Sequence, residues 1–370
     1  AHAGARQEGD VTPMSDLLQR LLAARPWLLA DGATGTNFFA AGLQTGDAPE
    51  LWNLDRPGKV LAQMRAFVES GSDIILTNSF GGTRNRLKLH KAEDRVGKIN
   101  RTAARLARDA AGAAGREVVV AGSMGPTGEL FMPLGPLTMA EATAAFAEQA
   151  KALAEGGADV LWIETISSVE ELTAAVTGAR STGLPVVCTL SFDTNGRTMM
   201  GVTPAQVAGL ARELNPRPVA YGGNCGIGPA ELLAALLGLR EAAAPGDVLV
   251  AKSNCGVPEY VDGSIRYQGT PELMADYARL ARDAGARIIG GCCGTTPDHI
   301  AAMRRALTGH EPGPRPSLET IIARLGQVSS GARQQQSGEG PLTARPERDA
   351  EGIRRRRGRA RGRGSTTPRF

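Results

Sequence analysis

Three cysteines in glycine-rich surroundings are the residues of this sequence whose types and spacing point most directly to chemistry. Cys292 and Cys293 are adjacent within GGCCGTTP at 290–297, and Cys225 lies within GGNCG at 222–226. Neighbouring side chains on a regular strand point to opposite faces, so two adjacent thiols reach one point only where glycine lets the backbone leave strand geometry. Three protein ligands leave the fourth position of a catalytic zinc open for substrate. We therefore predict a zinc site held by these three cysteines.

Other interpretations of the cysteines are also consistent with the sequence. Cys225 could be a small buried hydrophobic residue, and Cys292 and Cys293 could form a vicinal disulfide. Cys255 ends another predicted strand and could supply a fourth thiolate, which would close the site and make the zinc structural. We expect three ligands, because structural zinc usually takes ligands close together in sequence, such as paired CxxC motifs, and this chain has none. Cys188 lies inside a predicted strand and is interpreted as core.

An open zinc site with three thiolates suits a thiol substrate. A free thiol is only slightly ionised at neutral pH, whereas a coordinated thiol is deprotonated. The result is an activated sulfur nucleophile, whose attack on an activated methyl group needs little acid-base catalysis. This agrees with the four histidines of the chain, none of which follows a predicted strand. A zinc aldolase is the alternative enzyme, but hard oxygen substrates usually meet histidine and carboxylate ligands.

Two carboxylates stand at the ends of predicted strands, where the amino-acid end of a thiol could meet them. Asp31 begins DGATGT at 31–36, and Glu164 precedes Thr165. Either carboxylate could hold an ammonium group, and backbone N–H groups of the glycine-rich segment could bind a substrate carboxylate. The alternatives are that Asp31 caps the following segment and that Glu164 pairs with an arginine of the rim.

A regular series of short apolar strands and amphipathic helices must position these residues. The predicted strands span 27–30, 73–77, 117–121, 159–163, 185–190, 218–221, 247–251 and 286–289. The predicted helices span 60–69, 96–111, 140–154, 169–179, 205–214, 230–242, 271–284 and 298–307. Eight strands that each precede a helix indicate an α/β fold of the (β/α)8 TIM-barrel type, with the candidate site residues at the C-terminal ends of the strands. Long loops at 80–94 and 124–138 would border the same rim.

Composition and charge divide the chain into three predicted regions. They are a disordered N-terminal extension at 1–14, the barrel at 15–325 and a disordered basic tail at 326–370. Residues 331–370 carry eleven arginines and four acidic residues, while the whole chain has a net charge of +4, so the barrel is mildly acidic. We expect a solvated tail without a specific role, and the alternative is contact with nucleic acid. Five cysteines and no apolar run of about 18 residues favour a cytoplasmic protein without a membrane segment.

Six short motifs together resemble the homocysteine S-methyltransferase family. They are DGATGT at 31–36, TNSFG at 77–81, GPTG at 125–128, ET at 164–165, GNC at 223–225 and GGCCGTTP at 290–297. The family includes betaine-homocysteine methyltransferases, S-methylmethionine-dependent enzymes and the homocysteine module of cobalamin-dependent methionine synthase. The resemblance covers roughly residues 15–310 and implies a (β/α)8 barrel. It also implies that Cys225, Cys292 and Cys293 hold Zn²⁺ and that the homocysteine sulfur takes the fourth position.

The resemblance implies a substrate site around the zinc as well. Asp31 and Glu164 would bind the amino-acid end of homocysteine. The full predicted set of substrate-binding residues is Asp31, Gly32, Thr77, Asn78, Glu164 and Asn224. One departure from the family pattern concerns Cys255, because the methionine-synthase branch tends to have alanine between the asparagine and glycine that flank it here. If Cys255 binds the zinc, homocysteine must displace it.

The expected methyl donor is betaine, with donor contacts from Asn78, Phe80 and the loop at 124–134. The chain has four tyrosines and three tryptophans, which supply no obvious aromatic cage for a quaternary ammonium. GPTGEL at 125–130 looks more like the corrinoid-linked branch, so a separate methyl-corrinoid protein and S-methylmethionine are alternative donors. The non-enzymatic alternative is a barrel with structural zinc and a nucleic-acid-binding tail. A homo-oligomer is compatible with the sequence.

Overall fold

Eight parallel strands form a barrel in the computed structural model, which describes residues 17–261 and 264–337. The ten strands are β1 (Leu28–Leu29), β2 (Ile74–Leu76), β3 (Val119–Met124), β4 (Val160–Ile166), β5 (Val186–Leu190), β6 (Ala220–Cys225), β7 (Leu249–Ser253), β8 (Pro258–Val261), β9 (Ser264–Tyr267) and β10 (Ala286–Gly291). The barrel order is β1-β10-β7-β6-β5-β4-β3-β2, and β8 and β9 form a separate antiparallel hairpin. The barrel closes where Ala30 pairs with Ile74. The predicted (β/α)8 TIM barrel is therefore confirmed.

Helices cover the outside of the barrel. They are α1 (Leu17–Ala24), α2 (Gly35–Ala40), α3 (Trp52–Asp55), α4 (Pro57–Glu69), α5 (Arg84–Leu87), α6 (Val96–Gly112), α7 (Met139–Glu155), α8 (Val169–Ala179), α9 (Pro204–Glu213), α10 (Pro229–Ala242), α11 (Pro271–Asp283), α12 (Pro297–Leu307), α13 (Leu318–Leu325) and α14 (Ser330–Ser337). The eight predicted helices correspond to α4 and to α6 through α12. Within the described ranges, no helix is long and apolar enough to cross a bilayer.

Local sequence explains where several of these helices begin. The Thr138 and Thr203 hydroxyls accept hydrogen bonds from backbone N–H groups three residues later, and Glu141 and Gln206 return the bond to complete capping boxes. Proline at the first position of α9, α10, α11 and α12 favours a helix start there, because its fixed φ suits the first turn and its missing N–H needs no partner.

Two apolar layers hold the strands in place. Alternate residues of the strands belong to different buried clusters, as expected for a parallel sheet that is covered on both faces. Leu28, Trp162 and Ile288 are among the residues of the inner cluster, which fills the barrel. Leu18 and Leu21 of α1 join this inner cluster and cover the N-terminal end of the barrel. The candidate site residues lie at the opposite end, which is the C-terminal end of the strands.

The chain beyond residue 325 differs from the prediction of a disordered tail starting at 326. Residues 326–337 are described, and they include α14, with Val328 and Ala332 buried. The Ser329 N–H and hydroxyl donate to the Glu231 carboxylate of α10 at 2.8 and 2.6 Å, which fixes the start of α14. Ser329 and Glu231 are 98 positions apart in sequence, so a local pattern could not predict this contact. The arginine-rich segment and the predicted extension at 1–14 lie outside the described residues.

A buried ion cluster at the N-terminal end of the barrel ties three segments together. Asp73 is fully buried just before β2, and its carboxylate accepts the Leu29 N–H at 2.9 Å. Arg25 and Arg304 pair with the same carboxylate at 2.8 and 3.0 Å. The Arg304 guanidinium also lies 5.0 Å from the centre of the Trp27 ring. Asp73 thus joins α1, β1 and α12 at the end of the barrel opposite the candidate site.

Replacing Asp73 with asparagine is expected to lower the free energy of unfolding by about 3 kcal/mol, because Arg25, Arg304 and Arg116, which pairs with it at 3.7 Å, lose the anion that compensates their partial burial. Urea unfolding followed by circular dichroism measures this. The matched control is Arg84→Ala, which removes an exposed ion pair with Glu148 at 2.8 Å and is expected to cost less than about 1 kcal/mol. Equal effects of the two substitutions would contradict the structural role given to Asp73.

Candidate metal and substrate site

Two neighbouring regions of the barrel rim bring the three predicted cysteines together. Cys225 is the last residue of β6, and Cys292 and Cys293 directly follow β10. The three Sγ atoms all lie within 4.8 Å of one another. Cys225 Sγ and Cys293 Sγ are 3.9 Å apart. Cys225 and Cys292 are 67 positions apart in the sequence, and the barrel places their thiols side by side.

The backbone after β10 turns sharply so that both adjacent thiols face Cys225. The Cys292 N–H donates to the Ser253 carbonyl at 2.6 Å, and the Cys293 N–H donates to Asn254 Oδ1 at 3.0 Å. Gly294 then adopts a φ of 79°, in the region that glycine occupies without strain. A Cβ at Gly291 would lie 2.3 Å from the Thr295 side chain, so only glycine fits before the turn. The glycine frame noted in the sequence has this steric cause.

Asn224 lies next to the cysteine cluster and forms hydrogen bonds with Thr165. Its Nδ2 donates to Thr165 Oγ1 at 2.8 Å and lies 3.8 Å from Cys292 Sγ, and its Oδ1 accepts the Thr165 N–H at 2.9 Å. Thr165 and Cys225 have φ values of 61° and 59°, which are unusual for residues that carry a side chain. The buried Asn224 amide thus links the ends of β4 and β6, where the backbone of Thr165 and Cys225 departs from strand geometry.

The other two cysteines lie apart from the cluster. Cys255 is 1% exposed, and its Sγ donates to the Gly269 carbonyl at 2.9 Å and lies 3.1 Å from His299 Nε2. This orientation favours the three-ligand prediction over the four-thiolate alternative. Cys188 is buried within β5, and burial raises the pKa of its thiol. That position agrees with its interpretation as a core residue.

Hydrogen bonding within the cluster favours a thiolate at Cys293. The thiols of Cys225 and Cys292 donate to Cys293 and lower its pKa, and the Tyr267 hydroxyl adds a third such bond. Hydrogen bonds with Cys292 and Cys293, together with burial, raise the pKa of Cys225. Sulfur ligands must be deprotonated before they bind a metal, so a cluster that already shares its protons in this way is chemically suited to a soft cation such as zinc.

A buried ion pair lies next to the cysteines. Lys252, in β7, is 1% exposed, and its Nζ lies 2.7 Å from Asp31 Oδ1. The second Asp31 oxygen accepts the Leu76 N–H at 2.7 Å. Nζ is also 5.6 Å from the centre of the Trp162 ring. Sequence reasoning missed Lys252, although a lysine at the end of an otherwise apolar strand was a signal that could have found it.

Glu164 completes a group of one cation and two anions. It is 7% exposed, and its carboxylate accepts a hydrogen bond from the Ser123 hydroxyl. Burial raises the pKa of Glu164 to about 7, against the opposing effect of Lys252. Burial also raises the pKa of Asp31, again opposed by Lys252. For Lys252, burial works against the charged form, but the two carboxylates outweigh it and raise the pKa.

One cavity of about 440 Å³ connects these groups with the rim. Of the residues predicted to bind substrate, four line this cavity, namely Gly32, Thr77, Asn78 and Glu164. Asp31 and Asn224 lie behind the lining, where Asp31 contacts Lys252 and Asn224 contacts Thr165 and Cys292. Lys252 and the cysteine cluster form part of the wall. The metal site and the acidic site predicted separately therefore share one enclosed space.

Two parts of the cavity wall were not found from the sequence. Tyr267 comes from the β8–β9 hairpin, a short insertion between β7 and α11 that the strand pattern did not predict. The cavity is also lined by Glu50, Arg86 and His90, which come from loops and short helical turns before and after β2. Isolated charged residues in loops are common, so the sequence does not distinguish these three from other surface residues. Their common position on the cavity wall does.

The fold and the site together define a class of protein: a (β/α)8 barrel with a cluster of three thiols that could hold a metal, and with buried carboxylates, at its C-terminal rim. The sequence profile of the family "Homocysteine S-methyltransferase" matches residues 28–307. The chain therefore belongs to the homocysteine S-methyltransferase family, as the motifs predicted.

Relatives and solved structures agree with this membership. The chain is 31% identical over 317 residues to a methionine synthase of Mycobacterium tuberculosis and 30% identical over 334 residues to one of Mycobacterium leprae, and these matches cover 80% and 85% of the chain. They cover 26% and 27% of the relatives, so the chain spans about a quarter of their length.

Crystal structures of the homocysteine methyltransferase MmuM from Escherichia coli have the same fold. The oxidized form is 27% identical with a TM-score of 0.66, covering 78% of this chain and 99% of MmuM. The metallated form is 26% identical with a TM-score of 0.65, covering the same shares. A metal is thus part of at least one solved structure with this fold, and the three-cysteine cluster can hold one here.

Replacing Cys225, Cys292 or Cys293 singly with alanine is expected to weaken zinc binding by more than about 100-fold, which exceeds the usual effect of losing an outer partner. Competition with a chromogenic zinc chelator at fixed pH measures the affinity. Cys255→Ala is the matched control and should keep the wild-type affinity, because its thiol faces His299. An equal loss in the control would instead support the four-thiolate alternative.

Proposed function

We propose that this chain is a zinc-dependent homocysteine S-methyltransferase that forms methionine with betaine as the methyl donor. The observation that carries the proposal is the convergence of three thiols at the wall of a cavity that also holds Glu164 and Lys252. A thiol with an amino-acid end matches this arrangement, since sulfur suits the cluster and an amino acid carries one charge of each sign. Family membership supports the same acceptor.

The donor set fits zinc. Cys225, Cys292 and Cys293 offer three soft sulfur ligands within 4.8 Å of one another, and the cavity borders them on one side. When bound, zinc would supply the Lewis acid that keeps the homocysteine thiol ionised at neutral pH. The remaining work of catalysis falls to the residues that orient the two substrates.

The charged group beside the cluster would orient homocysteine. Glu164 lines the cavity and is the carboxylate available to the substrate ammonium, and Lys252 is the cation available to the substrate carboxylate. Asp31 would act through Lys252, which it holds at 2.7 Å. Asn224 would act through Cys292 and Thr165 in the same indirect way. Thr77 and Asn78 would complete the wall around the acceptor.

Methyl transfer itself requires alignment rather than proton transfer. The homocysteine thiolate attacks a methyl carbon of the betaine trimethylammonium group, the new sulfur–carbon bond forms, and the carbon–nitrogen bond breaks. The nitrogen keeps the electron pair of that bond and leaves as dimethylglycine. Holding the sulfur and the methyl carbon in line within a cavity that excludes water is the contribution the protein can make to this step.

A methyl group delivered by a separate corrinoid protein is the second candidate, and S-methylmethionine is a further small donor. The corrinoid candidate is favoured by exposed apolar side chains on the loop before α7, where Leu130, Met132 and Leu134 are 56%, 62% and 73% exposed. Betaine is favoured by the cavity volume of about 440 Å³, which suits a small donor entering beside the amino acid.

Zinc-loaded protein incubated with homocysteine and betaine is expected to form methionine and dimethylglycine in equal amounts, measured by mass spectrometry. S-methylmethionine and methylcobalamin are tested in parallel. Removing residues 338–370 should leave the activity unchanged, which separates the enzyme from the alternative of a nucleic-acid-binding protein with structural zinc. If none of the three donors yields methionine, the proposed function is contradicted.

The affinity for the amino-acid end is expected to rise with pH between about pH 6 and pH 8, because Glu164 has a pKa of about 7 and attracts an ammonium group only when ionised. Homoserine is the suitable ligand, since its hydroxyl replaces the thiol and removes thiol ionisation from the measurement. Isothermal titration calorimetry with Glu164→Gln should give weaker binding and no such rise. A variant that retains the pH dependence would exclude Glu164 as its source.

A further inference from the structure

A further buried carboxylate lines the cavity besides that of Glu164. Glu50 belongs to the 3₁₀ turn Pro49–Leu51, is 5% exposed and lines the cavity. No ion pair joins it to another residue in the described ranges. Because burying an ionised carboxylate without a cation is costly, its presence on a cavity wall points to a positively charged ligand.

The surrounding backbone holds this carboxylate in a fixed position. The Gly81 N–H donates to Glu50 Oε1 at 2.6 Å. A Cβ at Gly81 would lie 3.0 Å from the same oxygen, so glycine leaves the space that the carboxylate occupies. Asn78 Nδ2 donates to the Pro49 carbonyl at 2.8 Å and anchors the turn from which Glu50 projects. The carboxylate is thus preorganised on the wall before any ligand arrives.

Two basic side chains line the same cavity. Arg86 and His90 are half-buried there, and Arg86 forms no ion pair with the residues that the structure describes. Burial raises the pKa of Glu50, while the Gly81 N–H and the charges of Arg86 and His90 oppose that rise. An anion and a cation that face one cavity without pairing with each other match a small ligand that carries both charges.

We propose that Glu50 and Arg86 form the donor subsite, which binds a small zwitterion whose methyl group is attached to a positively charged nitrogen or sulfur. Glu50 faces the onium centre and Arg86 faces the carboxylate. This assignment rests on the proposed function, since it takes the cysteine end of the cavity as the acceptor site. It selects an onium donor of the betaine class over an uncharged methyl carrier.

The charge of the donor changes during the reaction, and this determines what Glu50 can contribute. The onium centre is cationic in the bound donor. It becomes neutral as the methyl carbon bonds to the homocysteine sulfur, because the donor nitrogen or sulfur keeps the electron pair of the bond that breaks. Glu50 therefore stabilises the bound donor more than the transition state, so its loss should raise the donor KM with little decrease in kcat. The homocysteine KM should change less, because Glu164 and Lys252 rather than Glu50 are the groups assigned to the acceptor.

The first test compares betaine with 3,3-dimethylbutyrate, in which carbon replaces the charged nitrogen without changing the shape. Both are titrated calorimetrically into zinc-loaded, full-length protein with homoserine in the acceptor site. Wild-type protein is expected to bind betaine more tightly. Glu50→Gln should weaken betaine binding at least about tenfold and leave 3,3-dimethylbutyrate unchanged. Arg86→Met should weaken both ligands, since both carry the carboxylate.

Glutamine at position 50 also separates donor binding from a structural role. Its amide oxygen can still accept the Gly81 N–H, so a carboxylate that only anchors the loop would tolerate the change. A wild-type protein that binds the two ligands equally, or a Glu50→Gln variant that keeps the preference for betaine, would overturn the subsite. Betaine binding that depends on Glu50 without methionine formation would retain the subsite and refute the proposed function.

Discussion

Asp31 is the residue on which both the closure of the barrel and the charge of the site depend. Its N–H donates to the Ile74 carbonyl at 3.0 Å, and its carbonyl accepts the Gly291 N–H at 3.0 Å, so its backbone connects β1 to both neighbouring strands. Its carboxylate bonds to Leu76 and to Lys252. Lys252 can remain charged inside the barrel because this anion is fixed beside it and Glu164 adds a second negative charge. The mouth of the barrel is therefore organised by one buried carboxylate.

A consequence of this arrangement is that the acceptor end has a defined charge before substrate binds. Asp31 and Lys252 compensate each other, which leaves Glu164 as the uncompensated anion that faces the cavity. The thiols next to it hold a single favoured thiolate at Cys293. The metal ligands and the carboxylates thus have separate partners although they are neighbours, because the carboxylates bond to Lys252, the Leu76 N–H and the Ser123 hydroxyl, whereas the thiols bond to one another.

The sequence predicted the features that repeat or that have a strong steric cause. Eight apolar strands and the helices between them follow from periodicity, and the adjacent thiols at 292 and 293 follow from their glycine frame. Lys252 and Glu50 could not be found in this way, because their importance comes from neighbours distant in sequence, such as Asp31 and Gly81. The helix α14 could not be found in this way either, since the contacts between Ser329 and Glu231 that fix its start join residues far apart in sequence.

The left-handed backbone at Cys225 connects the site with the evolution of the chain. A residue with a side chain in this conformation is less stable than glycine by about 1 kcal/mol, and here that cost positions a sulfur atom. Folding stability and ligand placement therefore favour different residues at 225. In a descendant that no longer needed the metal, selection for stability alone would favour glycine there, so the site would be lost faster than neutral drift predicts.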